Sequence, residues 1–274
     1  MTASPLFPLP SDPRLVVTDM DGTLLRADGT VPDELWPILV ELRERGILFA
    51  AASGRQYGSL RRLFEERAEG VVYVAENGCL VVEDGAIIST ITMELDTAER
   101  LVHTARELSR QFGMGMVWCG TRSAYVERGQ ERTFSGAAQY YPSMELIDDL
   151  LDLGEPPLKM AFHGPDGFTA DIVETIARVA GSSLTLVSGH HWVDVQNAVA
   201  DKAVGIRDLQ ARYGITPDQT VVFGDYLNDL RLMGTATYSY AMANAHPDVL
   251  EAANYMAPPN AEQGVVQVLS QLLG

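Results

Sequence analysis

Two aspartates separated by one residue, Asp19 and Asp21, follow a short apolar run and precede Gly22. Carboxylates at this spacing can act as a nucleophile and a general acid, or can bind a hard cation such as Mg²⁺. The simpler alternative is a turn whose acids are only solvated, because Asp and Gly both favour turns. A calcium loop of the EF-hand type fits poorly, since Leu24 and Thr30 would occupy the positions of its Gly and Glu.

Three later segments also place polar groups beside apolar runs. Ser53 lies between such a run and a helical pattern, which suits an anion at a helix N-terminus, although Ser is also a common helix cap. Lys202 opens another helical segment, where a lone lysine is most often solvated. The acidic loop 224–229 follows a fourth apolar run, and it could equally cap the next helix. None of these signals is specific alone.

The elements that precede these loops must bring them together. From Leu15 onwards, short and continuously apolar runs alternate with segments whose apolar residues recur at helical spacing. After Lys202 this alternation returns, which makes the pattern discontinuous in sequence. Runs of this kind are typical of parallel strands that are buried on both faces. We therefore predict an α/β fold with a doubly wound, mostly parallel sheet, whose strands include residues 15–18, 47–51, 71–74, 220–223 and 236–240.

The middle of the chain follows a different pattern. Asp84 and Gly85 form a turn signal between two apolar runs, which predicts a β-hairpin. Short strand-like runs and two helical segments follow without regular alternation, so we predict an inserted α+β domain. The predicted division is a flexible leader over 1–13, a core over 14–84 and 196–274, and an inserted cap domain over 85–195.

Ligands bind open parallel sheets at the carboxyl ends of the strands, where loops from separate crossovers meet. Asp19, Ser53 and Asp225 each follow a predicted strand, and Lys202 begins the helix before the last of these strands. One such residue would carry little information. Four of them in one fold favour a shared site that combines acids, a hydroxyl and a lysine.

Composition excludes several other classes of protein. The 274 residues carry a formal net charge of -17, which opposes binding to nucleic acids and anionic membranes. The two cysteines, Cys79 and Cys119, form neither a disulfide framework nor a zinc-ligand pattern, so a reducing cytoplasm is expected. No apolar run approaches the roughly 20 residues that cross a bilayer. The glycine-rich motifs of P-loop and Rossmann nucleotide sites are also absent from the sequence.

The four polar segments, in this order, resemble the motifs of the haloacid dehalogenase superfamily, which includes phosphatases with an aspartate nucleophile. The first motif is similar to Asp19–Leu24, the second to the segment around Ser53, the third to Lys202 and the fourth to Gly224–Asp229. The Cof-like branch has a large α/β cap between the second and third motifs, and further resemblance to it lies at 76–78, 242–245 and 260–265. The resemblance covers nearly the whole chain after the leader.

The resemblance implies a catalytic role for four residues. Asp19 would attack phosphorus to form an aspartyl-phosphate, and Asp21 would act first as general acid and then as general base. Ser53 and Lys202 would hold the non-bridging oxygens of the phosphoryl group. The residues implied in binding the substrate or its phosphate are Asp19, Met20, Asp21, Gly22, Ser53, Gly54, Arg55, Lys202 and Asn228. For Arg55, an ion pair with a surface acid is an equal alternative to substrate contact.

The resemblance also implies a Mg²⁺ cofactor. Its ligands would be the Asp19 carboxylate, the main-chain carbonyl of Asp21 and the Asp225 carboxylate. Hard oxygen ligands of this kind are those that Mg²⁺ prefers. The residues expected behind them, which would orient the lysine or metal-bound water, are Thr23, Asn228 and Asp229.

The implied function is hydrolysis of small phosphorylated metabolites, in particular sugar phosphates. One alternative is a phosphosugar mutase, which would pass the phosphoryl group to a second hydroxyl instead of to water. Another is a non-catalytic module that senses Mg²⁺ and phosphate. Asp21 argues against such a module, because a stable acyl-phosphate gains nothing from an adjacent acid and base. The sequence carries no signal of an oligomeric state.

Overall fold

The structure, a computed structural model, describes residues 7–64, 67 and 69–274. In this part of the chain the strands are β1 Leu15–Asp19, β2 Leu48–Ala52, β3 Val71–Ala75, β4 Leu80–Glu83, β5 Ala86–Thr90, β6 Gly115–Cys119, β7 Ala124–Glu127, β8 Met144–Ile147, β9 Lys159–His163, β10 Leu184–Gly189, β11 Trp192–Gln196, β12 Thr220–Gly224, β13 Tyr238–Met242 and β14 Tyr255–Ala257. The α-helices are α1 Leu35–Glu44, α2 Tyr57–Phe64, α3 Leu95–Phe112, α4 Glu131–Ala137, α5 Ala170–Ala180, α6 Lys202–Tyr213, α7 Leu230–Met233, α8 Pro247–Ala252 and α9 Gly264–Leu273.

The first of two compact units comprises residues up to 89 and residues 201–274. Its sheet has eight strands in the order β14-β13-β12-β1-β2-β3-β4-β5. β1 pairs in parallel with β12 on one side and with β2 on the other, and β3, β13 and β14 extend the parallel arrangement. Successive strands therefore move outwards in opposite directions from β1 and β12. The predicted α/β fold with a mostly parallel sheet is confirmed.

The strands of this sheet form the core because they are apolar on both faces. Every residue of β1, β3 and β12 is buried. Burying one large aliphatic side chain contributes roughly 1.5–3 kcal/mol before the entropy of folding is subtracted. Asp19 is the one charged residue in these three strands, and it is placed where β1 ends. A buried charge at that place requires specific partners.

The hairpin predicted at Asp84 and Gly85 lies at one edge of the first sheet. β4 pairs antiparallel with β3, and the turn residues have positive φ angles, 47° for Asp84 and 78° for Gly85. Two positive φ angles are typical of the two-residue turns that fit hairpin twist. Because β5 stays in the first sheet, the boundary predicted at 85 was too early. The two units divide after residue 89 and after residue 200.

The prediction of a flexible leader over 1–13 is wrong for the part that the structure describes. Residues 1–6 lie outside the described residues. Phe7 is buried, and its main-chain N–H and carbonyl both bond to the side-chain amide of Gln271, at 3.1 and 2.9 Å. The Tyr240 hydroxyl donates to the carbonyl of Pro8. These contacts hold the start of the described chain against α9 and β13.

The second unit, residues 90–200, has a sheet of its own. Its six strands run in the order β10-β11-β9-β6-β7-β8, and every pair is antiparallel except β7 with β8. Side chains of α3 and α5 pack with Trp118 and Phe162 of the sheet in one core cluster. This arrangement has the predicted α+β character.

Two elements of the second unit escaped prediction. α4 has seven residues, including Ser135 and Gly136, which are weak helix formers. β8 is a partly exposed edge strand without a clear apolar alternation. Short elements of this kind are defined by what they pack against rather than by their own sequence. Among the described residues, no helix combines the length and the apolar character that a membrane span needs.

Candidate active site

Asp19, the last residue of β1, lies where the order of strands in the first sheet reverses. β1 has β2 on one side and β12 on the other, and Asp225 follows directly after β12. The carboxyl ends of these parallel strands share one edge of the sheet, so their loops meet there. Asp19 is only 5% exposed, because the buried strand carries it inside this edge.

Lys202 is fully buried, and its Nζ atom donates hydrogen bonds to two carboxylates. One acceptor is Oδ1 of Asp19, and the other is Oδ1 of Asp229 at 2.7 Å. The lysine is the first residue of α6, and Asp201 caps that helix by accepting a 3.0 Å bond from the N–H of Val204. An unpaired ammonium group in the interior would be costly, so both partners are needed.

Charge and burial set the protonation of this pair. Burial, reinforced by the charge of Asp229, raises the pKa of the Asp19 carboxyl to about 8, and Lys202 opposes that rise. Burial alone would lower the pKa of Lys202, but Asp19 and Asp229 raise it above its ordinary value. The lysine is therefore charged in the folded protein. The positive charge of Lys202 is not enough to keep the pKa of the Asp19 carboxyl at its ordinary value.

Three carboxylates form a cluster that fits a divalent cation. Asp19, Asp225 and Asp229 each offer an oxygen, and these oxygens lie within 4.8 Å of one another. Lys202 supplies one positive charge against three negative ones when all the acids are ionised, so two negative charges are left uncompensated. Burial also raises the pKa of Asp225, as does the charge of Asp229. A set of hard oxygens with this charge deficit suits Mg²⁺.

Of the three carboxylates in the cluster, that of Asp229 is the least available to bind a cation. Its Oδ1 atom accepts from Lys202, and its Oδ2 atom accepts from the main-chain N–H groups of Asp225 and Tyr226 at 3.0 and 3.3 Å. Asp229 therefore links the loop after β12 to the ammonium group of Lys202. Asp19 and Asp225 are the members best placed to bind a cation directly.

The first loop joins Asp225 to the turn after β1. Thr23 donates a 2.9 Å hydrogen bond from its hydroxyl to Oδ1 of Asp225. Gly22 has a φ of +80°, and a Cβ atom there would lie 2.3 Å from Oδ2 of Asp225. A larger residue would both strain the backbone and displace the carboxylate. Gly22 and Thr23 thus fix the position of Asp225.

Asp21 projects from the same turn and is bound by Arg55. The Nε atom of Arg55 donates to Oδ2 of Asp21 at 2.8 Å, and Nη2 donates to Oδ1 at 2.5 Å. Hydrogen bonding to Asp21 is the main cause that raises the pKa of Arg55 above its ordinary value. Both side chains are partly exposed, Asp21 by 58% and Arg55 by 34%. The structure shows Arg55 in an ion pair with an acid, the alternative to substrate contact that the sequence left open.

Asn77, which follows β3, links two of the other loops. Its main-chain N–H donates to the carbonyl of Ser53 at 2.9 Å, and its side-chain oxygen accepts from Asn228 at 3.2 Å. A Cβ atom on Gly54 would lie 3.1 Å from that same oxygen, so a glycine allows this close approach. Asn228 therefore hydrogen-bonds to Asn77, whereas the hydrogen bonds of Lys202 go to Asp19 and Asp229.

Asn244, which follows β13, holds the turn that carries Asp21. Its side-chain amide donates to the carbonyl of Gly22 at 2.8 Å, and its oxygen accepts from the N–H of Asn260 at 3.0 Å. Sequence reasoning noticed Asn77, Asn244 and Asn260 only through resemblance and gave them no role. The signal that could have found them is their position, because Asn77 and Asn244 each follow a strand of the parallel sheet.

Comparison with known proteins supports this geometry. The family model described as haloacid dehalogenase-like hydrolase matches residues 16–269. A 5-amino-6-(5-phospho-D-ribitylamino)uracil phosphatase of Escherichia coli, YbjI, is 30% identical over 263 residues, which are 95% of this chain and 96% of the relative. The chain belongs to the haloacid dehalogenase-like hydrolases. A Bacillus subtilis phosphatase with the same name, YitU, is 23% identical and covers 94% of this chain and 97% of its own.

A solved structure supports the same assignment at the level of the fold. A haloacid dehalogenase-like hydrolase from Bacteroides thetaiotaomicron superposes with a TM-score of 0.82. The match covers 95% of this chain and 100% of the other, at 22% identity. The two proteins therefore share both the parallel core and the inserted unit. Like its relatives, this chain is an enzyme of the hydrolase class.

The predicted site residues of this haloacid dehalogenase-like hydrolase fall into two groups. The structure connects Asp19, Lys202 and Asp229 directly, and Asp225 joins them through its carboxylate. Other predicted residues lie on the surrounding turns, where each has a defined contact or position: Asp21, Gly22, Thr23, Ser53, Gly54, Arg55 and Asn228. The Met20 side chain is buried, so only its main chain is available to a ligand.

Proposed function

We propose that this protein is a Mg²⁺-dependent phosphomonoester hydrolase that acts on small phosphorylated metabolites through an aspartyl-phosphate intermediate. The observation that carries the proposal is the position of Asp19. Its carboxylate ends a buried strand, is held by Lys202 and lies beside Asp225. A nucleophile for phosphorus needs this combination of fixed orientation and nearby positive charge.

Asp19 is the proposed nucleophile. One of its carboxylate oxygens forms a bond to phosphorus while the bond from phosphorus to the ester oxygen breaks on the opposite side. Lys202 holds Oδ1, which fixes the plane of the carboxylate before the attack. The product of this step is an acyl-phosphate and an alcohol. Water then attacks the same phosphorus, which restores the carboxylate and releases inorganic phosphate.

Asp21 is the proposed acid and base. It would give a proton to the departing ester oxygen in the first step and take one from the attacking water in the second. Its position two residues after Asp19, on a turn that exposes 58% of its side chain, supports this role. Lys202 and the Ser53 hydroxyl are proposed to hold the non-bridging oxygens. Ser53 also lies close to the N-terminus of α2, which favours an anion.

Asp19, Asp225 and the main-chain carbonyl of Asp21 are the proposed ligands of Mg²⁺. When bound, this cation would reduce the repulsion between the carboxylates and an anionic phosphate. Support comes from the three clustered carboxylates and from the charge deficit that a single lysine leaves among them. Thr23 would keep the Asp225 ligand in place through its 2.9 Å hydrogen bond.

The substrate is proposed to be a sugar phosphate or a phosphorylated sugar alcohol, in a protein of the cytoplasm. The catalytic groups of the core would act on many phosphate esters, so the leaving group is inferred from the named relatives. YbjI and YitU are both named for hydrolysis of a phosphorylated ribityl group on an aminouracil. That compound is the first candidate to test here, beside phosphorylated hexoses and pentoses.

The test is phosphate release from these esters and from para-nitrophenyl phosphate, with Mg²⁺ or with excess EDTA. The Asp19→Asn variant should lose turnover by at least about a thousandfold, because an amide is a poor nucleophile. Asp218→Asn, an exposed aspartate that bonds to Thr237, is the matched control and should retain activity. Label transfer between two positions of a sugar without phosphate release would instead favour a mutase. Binding of Mg²⁺ without turnover of any ester would favour a sensor.

A further inference from the structure

The edge strands of the two sheets differ in how they are protected from pairing with other chains. Among the described residues, the edges are β14 and β5 in the first unit and β10 and β8 in the second. Proteins usually keep such edges short or place charged residues on them. β14 has only three residues, and β8 carries Glu145. β5 and β10 are longer and contain no charged residue, so neither edge has this protection.

β10 is the more apolar of these two edges. Leu184, Leu186 and Val187 are exposed by 37%, 39% and 63%, whereas β5 exposes one large apolar side chain, Ile87. The two leucines share one face of the sheet and Val187 lies on the other, because side chains alternate along a strand. Val187 and Phe168 also line a cavity of about 580 Å³. A continuous exposed apolar surface of this kind is typical of an interaction site.

The partner that this edge fits best is a second copy of the same chain. The chain has a net charge of -17, so two copies repel each other unless they meet through an uncharged surface such as β10. An antiparallel strand can pair with itself across a twofold axis, because both copies then offer the same surface. An axis at Thr185 places Leu184 opposite Leu186 of the partner subunit, and directly opposite residues share a face. Four leucines then cover one another.

The helix beside β10 fits the same twofold axis. α5 packs against both β10 and β11, and neighbouring strands lie about 4.8 Å apart. Two copies of α5 would therefore lie about 10 Å apart, which is the separation of packed helices. Glu174 lines the cavity with Val187 and Gly189 at one end of β10, and a short turn joins Ala180 to Leu184 at the other. The middle of α5 thus lies over the middle of β10.

The charges on α5 complement each other across this axis. Glu174 and Arg178 are exposed, lie one helical turn apart and form an ion pair of 3.5 Å within the helix. The two α5 helices run in opposite directions about the axis, so Glu174 of one copy lies beside Arg178 of the partner subunit. Exposed ion pairs add little affinity, but they favour one orientation of the partners over others. The helix therefore attracts a second copy in the same orientation as the strand.

We propose that this protein forms a symmetric dimer through β10 and α5, in which the two β10 strands pair antiparallel about Thr185. The sheet of the second unit then continues from one copy into the other. The dimer covers the exposed leucines and closes the unprotected edge. It does not depend on the proposed hydrolase, so the failure of either proposal leaves the other standing.

Sedimentation velocity of the full chain, at about 1 to 100 µM, tests the dimer. We expect the wild type to shift from one to two copies over this range. Leu186→Lys should raise the dimer dissociation constant at least about tenfold, because the ammonium group would be buried among leucines. Ile87→Lys, on the unprotected edge β5, is the matched control and should leave that constant unchanged. A wild type that stays monomeric, or a dimer weakened only by Ile87→Lys, would overturn the proposal.

A charge exchange on α5 tests the symmetry of the dimer. Arg178→Glu should raise the dissociation constant at least about threefold, because acids would then face acids across the axis. Adding Glu174→Arg should bring the constant back to that of the wild type, since both ion pairs form again with their charges reversed. Neither residue is buried, and circular dichroism should show that the variants stay folded. An Arg178→Glu variant that dimerises normally, or a double variant without recovery, would overturn the position of α5.

A cysteine at the axis tests the register of the strands. The two Thr185 Cα atoms would lie about 4.5–5.5 Å apart, a separation that a disulfide can span. Mild oxidation of Thr185→Cys should therefore link two copies covalently, as seen by gel electrophoresis without reductant. The native cysteines Cys79 and Cys119 are buried, and Ile87→Cys provides the control for random oxidation. Linkage no greater than that of the control would overturn the pairing about Thr185.

Discussion

Lys202 donates a hydrogen bond from Nζ to Oδ1 of Asp19, although 183 positions of sequence separate the two residues. The same ammonium donates to Asp229 at 2.7 Å, and all three side chains are buried. One cation therefore holds together the loop after β1, the start of α6 and the loop after β12. The stability of the site depends on keeping these charges matched.

The first prediction concerns this match of charges. Replacing Lys202 with Met leaves two buried carboxylates without their shared cation, so we expect a loss of about 3–5 kcal/mol in the free energy of unfolding. Urea denaturation at pH 7.5 measures it. Adding Asp229→Asn to Lys202→Met should recover part of the loss, because one buried charge is removed. A single variant as stable as the wild type would contradict the prediction.

A second prediction separates the two aspartates of the first loop. Asp21→Asn should lower kcat by about 10²–10⁴ on an alkyl phosphate, whose leaving oxygen needs a proton. On para-nitrophenyl phosphate the loss should be smaller, because nitrophenolate leaves without protonation. Steady-state kinetics on both esters give the ratio. Equal losses on the two esters would remove the role of general acid from Asp21.

Metal binding can be tested at Asp225. Asp225→Asn removes a carboxylate ligand while keeping its size and its contact with Thr23, so the Mg²⁺ concentration that gives half-maximal activity should rise by at least about tenfold. Calorimetric titration of the wild type and the variant with Mg²⁺, without substrate, should show the same weakening. Asp218→Asn should leave the Mg²⁺ affinity unchanged. Equal Mg²⁺ affinities in wild type and Asp225→Asn would place the cation elsewhere.

Gly78 offers a test of how closely the loop after β3 approaches α6. Its φ is +90°, and a Cβ atom would lie 2.1 Å from the carbonyl oxygen of Asp201, next to Lys202. We expect Gly78→Ala to cost more than about 3 kcal/mol, because steric overlap adds to backbone strain. Gly85→Ala is the matched control, since its φ is +78° but nothing lies within 4 Å of the added atom. Similar losses for both variants would show that strain alone decides the cost.

Acid sensitivity of the second unit should depend on His163. Burial, with His191 adding to it, lowers the pKa of His163 below the ordinary 6.5. The folded state therefore resists protonation of this ring, and its contribution to stability is complete above pH 6.5 and is lost as pH falls through the lower folded value. His163→Gln should make the urea midpoint fall less between pH 7.5 and 5.5. The exposed His103, changed to Gln, should leave the wild-type dependence intact.

The sequence was sufficient to predict which segments form the parallel core and where its chemistry lies. Continuous apolar runs identified β1, β2, β3 and β12, because a strand buried on both faces must be apolar throughout. The Asp84 turn predicted a hairpin correctly. The same reasoning missed α4 and β8, and it assigned residues 7–13 to a flexible leader. Those segments are defined by contacts with distant side chains, such as the two hydrogen bonds between Phe7 and the side-chain amide of Gln271.

What the sequence determined by itself is the succession of strands and loops along the chain, and therefore the presence of Asp19, Ser53 and Asp225 at strand ends. Only the tertiary structure decided which groups meet. Arg55 pairs with Asp21, and the Asn228 side chain donates to Asn77. The spacing of apolar residues shows which side chains of a single helix or strand are buried. Contacts between loops depend on the order of the strands within the sheet. Only the formed sheet brings the charged groups of separate loops close enough to pair.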